Sequence, residues 1–199
     1  MPATHPRQQV DTRQRILDVA ERLVQSRGFK GFSYADVAAE LGITKASLHY
    51  HFPGKAELGE ALIVRYGARF MDALEELDGR VSDPRAKLEG YAGLYAGVLR
   101  GKRMCLCGIL AAEYETLPPP MRAAVVRFFD ENEVWLARVL AQGRSDATLS
   151  FDGSPSEAAQ AIISGLEGAM LVARPYRDLT RFQAAAAHTL ASLTRTPPS

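Results

Sequence analysis

Apolar residues recur along this chain at intervals of three and four positions, which is the spacing of one face of an α-helix. The stretches that keep this spacing are separated by glycine, by proline or by short polar segments. The sequence contains no signal for β-strands and no internal repeat. The pattern therefore predicts an all-α protein of about nine helices.

Two short helices are predicted between residues 33 and 52. Ser33 can cap the first one, because its side-chain oxygen can accept hydrogen bonds from the free N–H groups at a helix start. Gly42 ends that helix, since glycine adopts a left-handed backbone without steric cost. Thr44 caps the second helix, and Pro53-Gly54 closes it after two turns. The prediction is a helix–turn–helix.

The second short helix has an unusual outward face. Leu48 and Phe52 are four residues apart and are predicted to point inward. The other side carries a cation, a methyl group, an imidazole and a phenol, and no carboxylate lies between Glu40 and Glu57. Such a surface suits a DNA groove that exposes acceptors and methyl groups, although a solvated corner of any helical protein is the alternative. The predicted DNA contacts are Ser33, Tyr34, Thr44, Lys45, Ala46, Ser47, His49, Tyr50, His51 and Lys55.

Within this set, Lys45 and His49 are predicted to meet base edges, whereas the predicted phosphate contacts are Thr44, Tyr50, His51 and Lys55. From about Thr12 to Tyr66 the chain resembles the DNA-binding domain of the tetracycline-repressor (TetR) family. The resemblance rests on Gly28-Phe29, Val37-Ala38, Leu41-Gly42-Ile43-Thr44, Leu48, Tyr50-His51-Phe52 and Lys55. The usual family pattern has a tyrosine directly after the leucine, whereas this chain has His49 there and Tyr50 next.

The resemblance implies two domains. A three-helix DNA-binding head would occupy residues 11–71, with its helix–turn–helix at about 33–52. A helical ligand-binding and dimerisation domain would follow over residues 72–195. The first 55 residues carry eight Lys or Arg against five Asp or Glu, a net charge of +3, whereas the whole chain has only +1. The positive charge is therefore concentrated on the proposed head.

The last two helices are rich in small residues, which allow helix backbones to approach closely. From the pattern alone, these helices pack either against the rest of the chain or against a second copy. The TetR resemblance implies a homodimer through these helices. The predicted interface residues are Gly165, Leu166, Gly168, Ala169 and Leu190.

The middle helices contain many aromatic residues, with polar groups beside them. Aromatic residues at helical spacing are usually core, but a few polar groups among them are also typical of ligand pockets. The resemblance implies a cavity there that binds a small-molecule effector. The candidate lining residues are Tyr91, Tyr95, Cys105, Cys107, Glu113, Tyr114, Phe128 and Trp135.

Other classes of function have less support. The four histidines are scattered, and the chain lacks a glycine-rich phosphate loop, so we expect no enzyme, no metal site and no cofactor. A thiol-based redox regulator remains an alternative, because Cys105 and Cys107 follow a cluster of cations, but residues two apart on a helix point in different directions. A helical enzyme with a purely structural head is a second alternative.

The chain ends carry no targeting signal in this interpretation. The N-terminal residues 1–15 contain no apolar segment and are predicted to form a flexible basic arm, and Thr196–Ser199 to form a frayed tail. No apolar run approaches the ~20 residues that span a bilayer. We therefore expect a cytoplasmic protein with no membrane partner. The expected function is a transcriptional repressor that a small molecule releases from a palindromic operator.

Overall fold

The computed structural model describes the backbone from Pro6 to Thr194 and the side chains from Asp11 to Leu193. Over this part of the chain there are nine α-helices and no strand, which confirms the all-α prediction. The helices are α1 (Pro6–Arg27), α2 (Tyr34–Leu41), α3 (Lys45–His51), α4 (Lys55–Arg80), α5 (Pro84–Arg100), α6 (Leu106–Ala111), α7 (Pro119–Ser145), α8 (Pro155–Tyr176) and α9 (Leu179–Ala191). Two 3-10 turns, Tyr114–Thr116 and Ser192–Thr194, follow α6 and α9.

Helix boundaries differ from the sequence prediction mainly at prolines. The pattern predicts that α1 starts near Thr12, but the helix begins at Pro6, so the arm prediction is wrong from residue 6 onward. The pattern also treats Pro118-Pro119-Pro120 as a spacer, whereas Pro119 and Pro120 form the first turn of α7. Proline is tolerated in a first turn because its missing N–H would have no helical partner there. Residues 1–5 and the predicted tail lie outside the described residues.

The sixth predicted helix is shorter than the pattern suggests. The sequence predicts a helix from about Met104 to Glu115, but α6 has only six residues and is followed by the 3-10 turn. The sequence also predicts a helix that reaches about Ala173 and is terminated by Pro175, but α8 continues through Pro175 to Tyr176. Arg177, whose φ of 52° places it in the left-handed region, is the residue that ends the helix.

The chain divides into two compact units. The first unit contains Met1–Tyr66 and Leu106–Val125, and the second contains Gly67–Cys105 and Val126–Ser199. Both α4 and α7 therefore contribute residues to each unit. The predicted domain boundary between residues 71 and 72 stays a prediction, because these units are defined by packing and are not divided by one cut in the chain.

In the first unit, α1 and α4 are joined by an arginine. The Arg65 guanidinium donates to Asp18 at 2.7 Å, to Glu21 at 2.8 Å and to Gln14 at 3.2 Å. Such charge-assisted forks are stronger than neutral hydrogen bonds and fix geometry. The apolar residues that recur along α1 at helical spacing are buried: Ile16, Leu17, Ala20, Leu23 and Val24.

The end of α1 is fixed by a close contact with the segment after α6. Gly28 has a φ of +81°, and a Cβ added there would lie 2.2 Å from Glu113 Oε1. The Glu113 carboxylate accepts hydrogen bonds from the backbone N–H groups of Phe29 at 3.1 Å and Lys30 at 3.3 Å. Gly28 is thus required both for its backbone conformation and for the space it leaves.

The second unit is built around a cluster of aromatic rings. The Phe70 ring lies 5.4–6.0 Å from those of Tyr91, Tyr95 and Phe128, each in an edge-to-face arrangement. Tyr91 also stacks on Trp135 at 5.8 Å. Such pairs add to the stabilisation that burial provides.

One carboxylate ties three helices of this unit together. Asp78 pairs with Lys87 at 2.8 Å, accepts from Trp135 Nε1 at 3.0 Å and also pairs with Arg138. Burial alone would raise the pKa of Asp78, but the hydrogen bonds from these three partners outweigh it and lower the pKa. The side chain is therefore ionised at neutral pH and holds α4 to α5 and α7. None of the helices in residues 6–194 is both long and apolar enough to cross a membrane.

Candidate DNA interface and sensing site

The helix–turn–helix forms where the sequence predicts it because local groups satisfy both helix starts. Ser33 accepts from the Asp36 N–H, and the Asp36 carboxylate accepts from the Ser33 N–H at 2.7 Å, which completes a capping box. These hydrogen bonds, first among them that from the Ser33 side chain, lower the pKa of Asp36. Thr44 caps α3 by accepting from the Ser47 N–H at 3.1 Å.

The turn between the two helices depends on Gly42. Its φ of 65° is left-handed, and the Ile43 N–H donates to the Ala38 carbonyl at 3.0 Å across the turn. On the inner side, Leu48 and Phe52 are only 0% and 2% exposed, as predicted. Because α3 has only seven residues, this packing is what keeps it helical.

The structure places four of the predicted DNA contacts on one exposed face of α3. Lys45, Ala46, His49 and Tyr50 are all exposed, and Tyr50 reaches 72%. Among the described residues, the Lys45 ammonium has no ion pair or hydrogen bond. This face is therefore available to a partner, with its cation uncommitted.

His49 is held in one orientation by neighbours outside α3. Its Nδ1 lies 3.0 Å from the Pro53 carbonyl oxygen, and its ring lies 4.8 Å from the Tyr34 ring. Because a carbonyl oxygen only accepts, Nδ1 carries the proton of the neutral ring, and Nε2 of that ring is then a hydrogen-bond acceptor. The two contacts orient the His49 ring at the surface.

Tyr34 fastens the turn between α3 and α4. Its hydroxyl lies 2.9 Å from the Phe52 carbonyl oxygen and 2.6 Å from that of Gly54, and it donates its proton to this pair. Burial, with a smaller effect of Glu57, raises the pKa of Tyr34 to about 12. Tyr34 is half-buried, so its hydroxyl is already used within the head.

The Lys55 side chain folds back into the first unit. Its ammonium donates to the carbonyl oxygens of Phe29 and Phe32, each at 2.6 Å, and lies 4.7 Å and 4.4 Å from the centroids of the same two rings. Burial lowers the pKa of Lys55, against the opposing effects of Glu113 and Asp36. The sequence predicts that Lys55 contacts a phosphate. It does not indicate the Phe32 and Phe29 carbonyl partners, because they lie 23 and 26 residues away in the chain.

His51 and Ser47 lie at the flanks of α3 and are half-buried. Burial, and to a lesser degree Arg13, lowers the pKa of His51. The neutral imidazole packs against Tyr50, with ring centroids 5.3 Å apart. Arg13 also lies over the Phe52 ring at 4.8 Å. The N-terminal helix therefore contributes a cation next to the predicted DNA face.

Of the predicted effector-site residues, the structure brings Tyr91, Tyr95, Phe128 and Trp135 together in the second unit. All four are at most 5% exposed. The Tyr91 hydroxyl donates to Asn132 at 3.0 Å and lies 3.3 Å from the Tyr95 hydroxyl. Buried hydroxyls in an aromatic cluster give this core a polar centre.

That centre includes a carboxyl group that the sequence analysis missed. Burial raises the pKa of Glu167 to about 7, although hydrogen bonds with Cys105 and Tyr95 oppose the shift. Its Oε1 is buried without a hydrogen-bond partner in the described part of the chain. The available signal was its position as the lone charged residue in the run from Ile162 to Met170.

Of the remaining candidates, Cys105 belongs to the second unit and the other three belong to the first. Cys107, Glu113 and Tyr114 belong to the first unit, where Glu113 binds the end of α1. Cys105 and Cys107 are 1% and 0% exposed and form no disulfide. Buried thiols are poor targets for oxidants, so the redox alternative is not favoured.

The predicted dimer residues fall into two groups. Leu166 is fully buried within its own chain, and a Cβ on Gly165 would meet Thr189 of α9 at 3.4 Å. A Cβ on Gly168 would meet nothing within 4 Å. Ala169 and Leu190 are half-buried. Gly168 therefore faces outward, whereas Leu166 serves the interior.

No group of three or more His, Cys, Asp or Glu among the described residues is arranged to hold a metal ion.

Known proteins resemble the chain along most of its length. The HTH-type transcriptional repressor NemR of Escherichia coli K12 is 28% identical over 185 residues, which cover 89% of this chain and 92% of that protein. The transcriptional regulator AcuR of Cereibacter sphaeroides is 29% identical over 74% of this chain and 69% of its own length. The crystal structure of a TetR-family transcriptional regulator from Agrobacterium tumefaciens is 31% identical, with a TM-score of 0.90 over 94% of this chain and 100% of that one.

Two family models match in succession. The model of bacterial regulatory proteins of the tetR family matches residues 16–62, which contain the helix–turn–helix. The model of the tetracyclin repressor-like C-terminal domain matches residues 70–189, more than half of the chain. With the exposed α3 face and its two capped helices, these matches identify the chain as a member of the TetR family, a DNA-binding transcriptional regulator.

Proposed function

We propose that this protein is a cytoplasmic, homodimeric repressor that binds a palindromic operator and is released from it by a small molecule. The observation that carries the proposal is the exposed face of α3, which presents Lys45, His49 and Tyr50. The start of this helix is capped, and the turn before it is held by a left-handed glycine. Two relatives with repressor names, NemR and the repressor DhaR of a Mycobacterium, support the direction of regulation. We do not assign catalysis to it.

In the proposed complex, α3 enters the major groove. Lys45 would donate to guanine acceptors, and Nε2 of His49 would accept from a base amino group. Thr44 and Tyr50 would bind phosphates, because the Thr44 hydroxyl still has a proton to donate. Lys55 would act differently, by holding the α1–α2 turn in place through Phe29 and Phe32.

The proposed dimer uses an outward face of α8. Leu171, Val172 and Tyr176 are 57%, 62% and 58% exposed, which is unusual for large apolar residues on one helix. Gly168 lies one turn before Leu171 and Val172, on the same side. A partner helix could approach closely there, and a two-fold dimer on an operator needs its two α3 helices about 34–36 Å apart.

The proposed effector acts on the second unit. The polar centre formed by Tyr91, Tyr95 and Glu167 is the part of this core that can discriminate between ligands by hydrogen bonding. Release from DNA requires the effector to bind the DNA-incompetent state more tightly, since equal affinity for both states would shift nothing.

The direct test selects DNA with the full-length protein. Duplexes that the protein retains from a random library are sequenced, and the enriched sequence is expected to be an inverted repeat. Lys45→Ala should then cost about 1–3 kcal/mol of binding free energy and relax preference at one position of each half-site. Arg80→Ala is the control, because Arg80 is 72% exposed on the second unit. Enrichment of no sequence, or equal losses in both variants, would contradict the proposal.

The dimer is tested by Gly168→Leu. A leucine there has open space in the isolated chain, so the variant should fold but keep two α8 helices apart. We expect monomers in analytical ultracentrifugation and loss of cooperative operator binding. Gly93→Leu is the matched control, since Gly93 is exposed and also has open space around it. If Gly168→Leu still forms a stable dimer, the dimer interface does not use this face of α8.

A further inference from the structure

A cleft lies in the second unit between the end of α5 and the turn from α8 to α9. Its volume is about 820 Å³, within the usual range of small-molecule pockets. Leu99, Ala173, Pro175 and Leu179 provide an apolar part of the lining. The other lining residues are almost all cationic: Arg100, Lys102, Arg103, Arg174 and Arg177.

The carboxylate that shares the lining is engaged by groups outside it. Asp178 accepts from the Thr180 N–H at 2.9 Å and the Thr180 hydroxyl at 2.6 Å, and it pairs with Arg181 at 3.8 Å. These hydrogen bonds lower the pKa of Asp178 and commit it to the start of α9. Within residues 6–194, the side chains of Arg100, Lys102 and Arg177 have no ion pair.

Helix ends explain only part of this charge. Arg100 and Arg174 lie in the last turns of α5 and α8, where any cation stabilises the free carbonyl groups. Lys102 and Arg177 lie beyond those helices. Their φ angles are 56° and 52°, in the left-handed region where glycine is the usual residue. The chain thus carries long cationic side chains at two turn positions where they are conformationally unfavourable.

From this convergence we infer that the cleft is a binding site for a small organic anion with at least two negative charges and an apolar part. Phosphate esters and dicarboxylates have this chemistry. Several cations around a concave surface raise the local concentration of such ligands, and arginine binds phosphate and carboxylate with paired hydrogen bonds. The apolar lining would cover the remainder of the ligand. The site lies wholly in the second unit and goes beyond the proposed operator function.

The site is tested by calorimetric titration of the full-length protein with phenyl phosphate, at pH 8 and constant ionic strength. Phthalate is the dicarboxylate probe, and benzyl alcohol is the uncharged control ligand. We expect saturable binding of both anions and none of benzyl alcohol. The double variant Arg100→Gln, Arg177→Gln should raise the dissociation constant of phenyl phosphate by about tenfold or more. Each substitution removes charge-assisted hydrogen bonds, which contribute strongly to the binding free energy.

A matched variant separates a site from general charge. Arg80→Gln, Arg85→Gln makes the same change in net charge at side chains that are 72% and 59% exposed, and it should bind as the wild type does. A second cleft pair, Lys102→Gln with Arg174→Gln, should lose binding in the same way as the first. Melting temperatures of all variants confirm that they are folded.

Three results would overturn the inference. They are no saturable binding in the wild type, equal losses in the cleft and control variants, or binding of benzyl alcohol as tight as that of phenyl phosphate. A fourth arm measures binding to a random-sequence duplex. If the cleft variants weaken duplex binding as strongly as they weaken phenyl phosphate binding, the cations serve DNA and the small-anion site is wrong.

Discussion

The two units of this protein use their polar side chains in opposite ways. In the first unit, the polar groups of the helix–turn–helix lie at the surface, and partners a few residues away orient them, as Ser33 and Asp36 do. In the second unit, Tyr91, Asn132 and Glu167 place polar groups inside the core, while apolar residues of α8 are exposed. A surface that reads DNA needs exposed donors in fixed positions, whereas a sensing core needs buried groups whose state a ligand can change.

The largest expected effect concerns the buried carboxyl group. The pKa of Glu167 is raised from 4.5 to about 7 in the folded protein. As pH rises, the unfolded chain loses this proton near 4.5 but the folded chain keeps it until about 7, so the free energy of unfolding falls by about 3 kcal/mol across this window. The contribution is fully present below pH 4.5 and absent above pH 7.

Glu167→Gln removes this titration. The variant should match the wild type near pH 4.5 and exceed it by about 3 kcal/mol at pH 8 in urea denaturation. Glu76→Gln, at a 72% exposed position, is the control and should show no such divergence. If the free energies of unfolding of the wild type and Glu167→Gln depend on pH in the same way, the Glu167 carboxyl group does not have a raised pKa.

The next effect sharpens the contrast within the head. Lys55→Met removes the ammonium that binds two carbonyl groups, and we expect a loss of about 2 kcal/mol in the free energy of unfolding. Lys45→Met should change stability by less than about 0.5 kcal/mol but weaken DNA binding. Denaturation and salt-dependent DNA titration of both variants provide the comparison. If Lys55→Met instead keeps its stability but lowers the salt dependence of DNA binding, Lys55 contacts a phosphate, as the sequence predicts.

A smaller effect is expected from the hydroxyl in the aromatic core. Tyr91→Phe leaves the ring stack but removes the donor to Asn132, whose side chain is 0% exposed. The expected cost is about 1–2 kcal/mol, because an unsatisfied buried acceptor remains. Tyr176→Phe, at a 58% exposed position, should be neutral in the same denaturation assay. Equal stability of both variants would show that the polar centre contributes nothing to the second unit.

The smallest effect tests the turn of the head. Gly42→Ala should cost about 1 kcal/mol through the backbone alone, because no atom lies within 4 Å of the added Cβ. Gly93→Ala, in the middle of α5 and also with open space, should instead stabilise by about 0.5–1 kcal/mol. The melting temperature of each variant shows whether its substitution stabilises or destabilises the protein. Stabilisation by both substitutions would mean that the turn tolerates side chains.

Much of the head could be predicted from the sequence because its determinants are local. The caps at Ser33 and Thr44, the turn at Gly42 and the inward Leu48 each depend on residues within about four positions. The same reasoning misplaced the start of α1, because the first-turn role of Pro6 cannot be read from apolar spacing. Proline marks a helix boundary, but the sequence does not say on which side.

Other features depend on residues that are distant in the chain. The sequence indicated that Lys55 is a cation near the DNA face, but the carbonyl groups of Phe29 and Phe32 decide where its ammonium lies. It indicated an acidic residue at position 113, but only the fold places that carboxylate at the end of α1, 84 residues away from Phe29.

The sequence by itself thus determined the helices, the family and the exposed face of α3, since helix periodicity and capping act over a few residues. Only the tertiary structure decided which polar groups are buried and which cations converge. Burial of Glu167 depends on α5 and α8 packing around it, and the cationic cleft depends on two turns that lie about 75 residues apart. Electrostatic environment is a property of the packed chain, so the local pattern could mark Glu167 as the lone charged residue of its run but could not give its raised pKa.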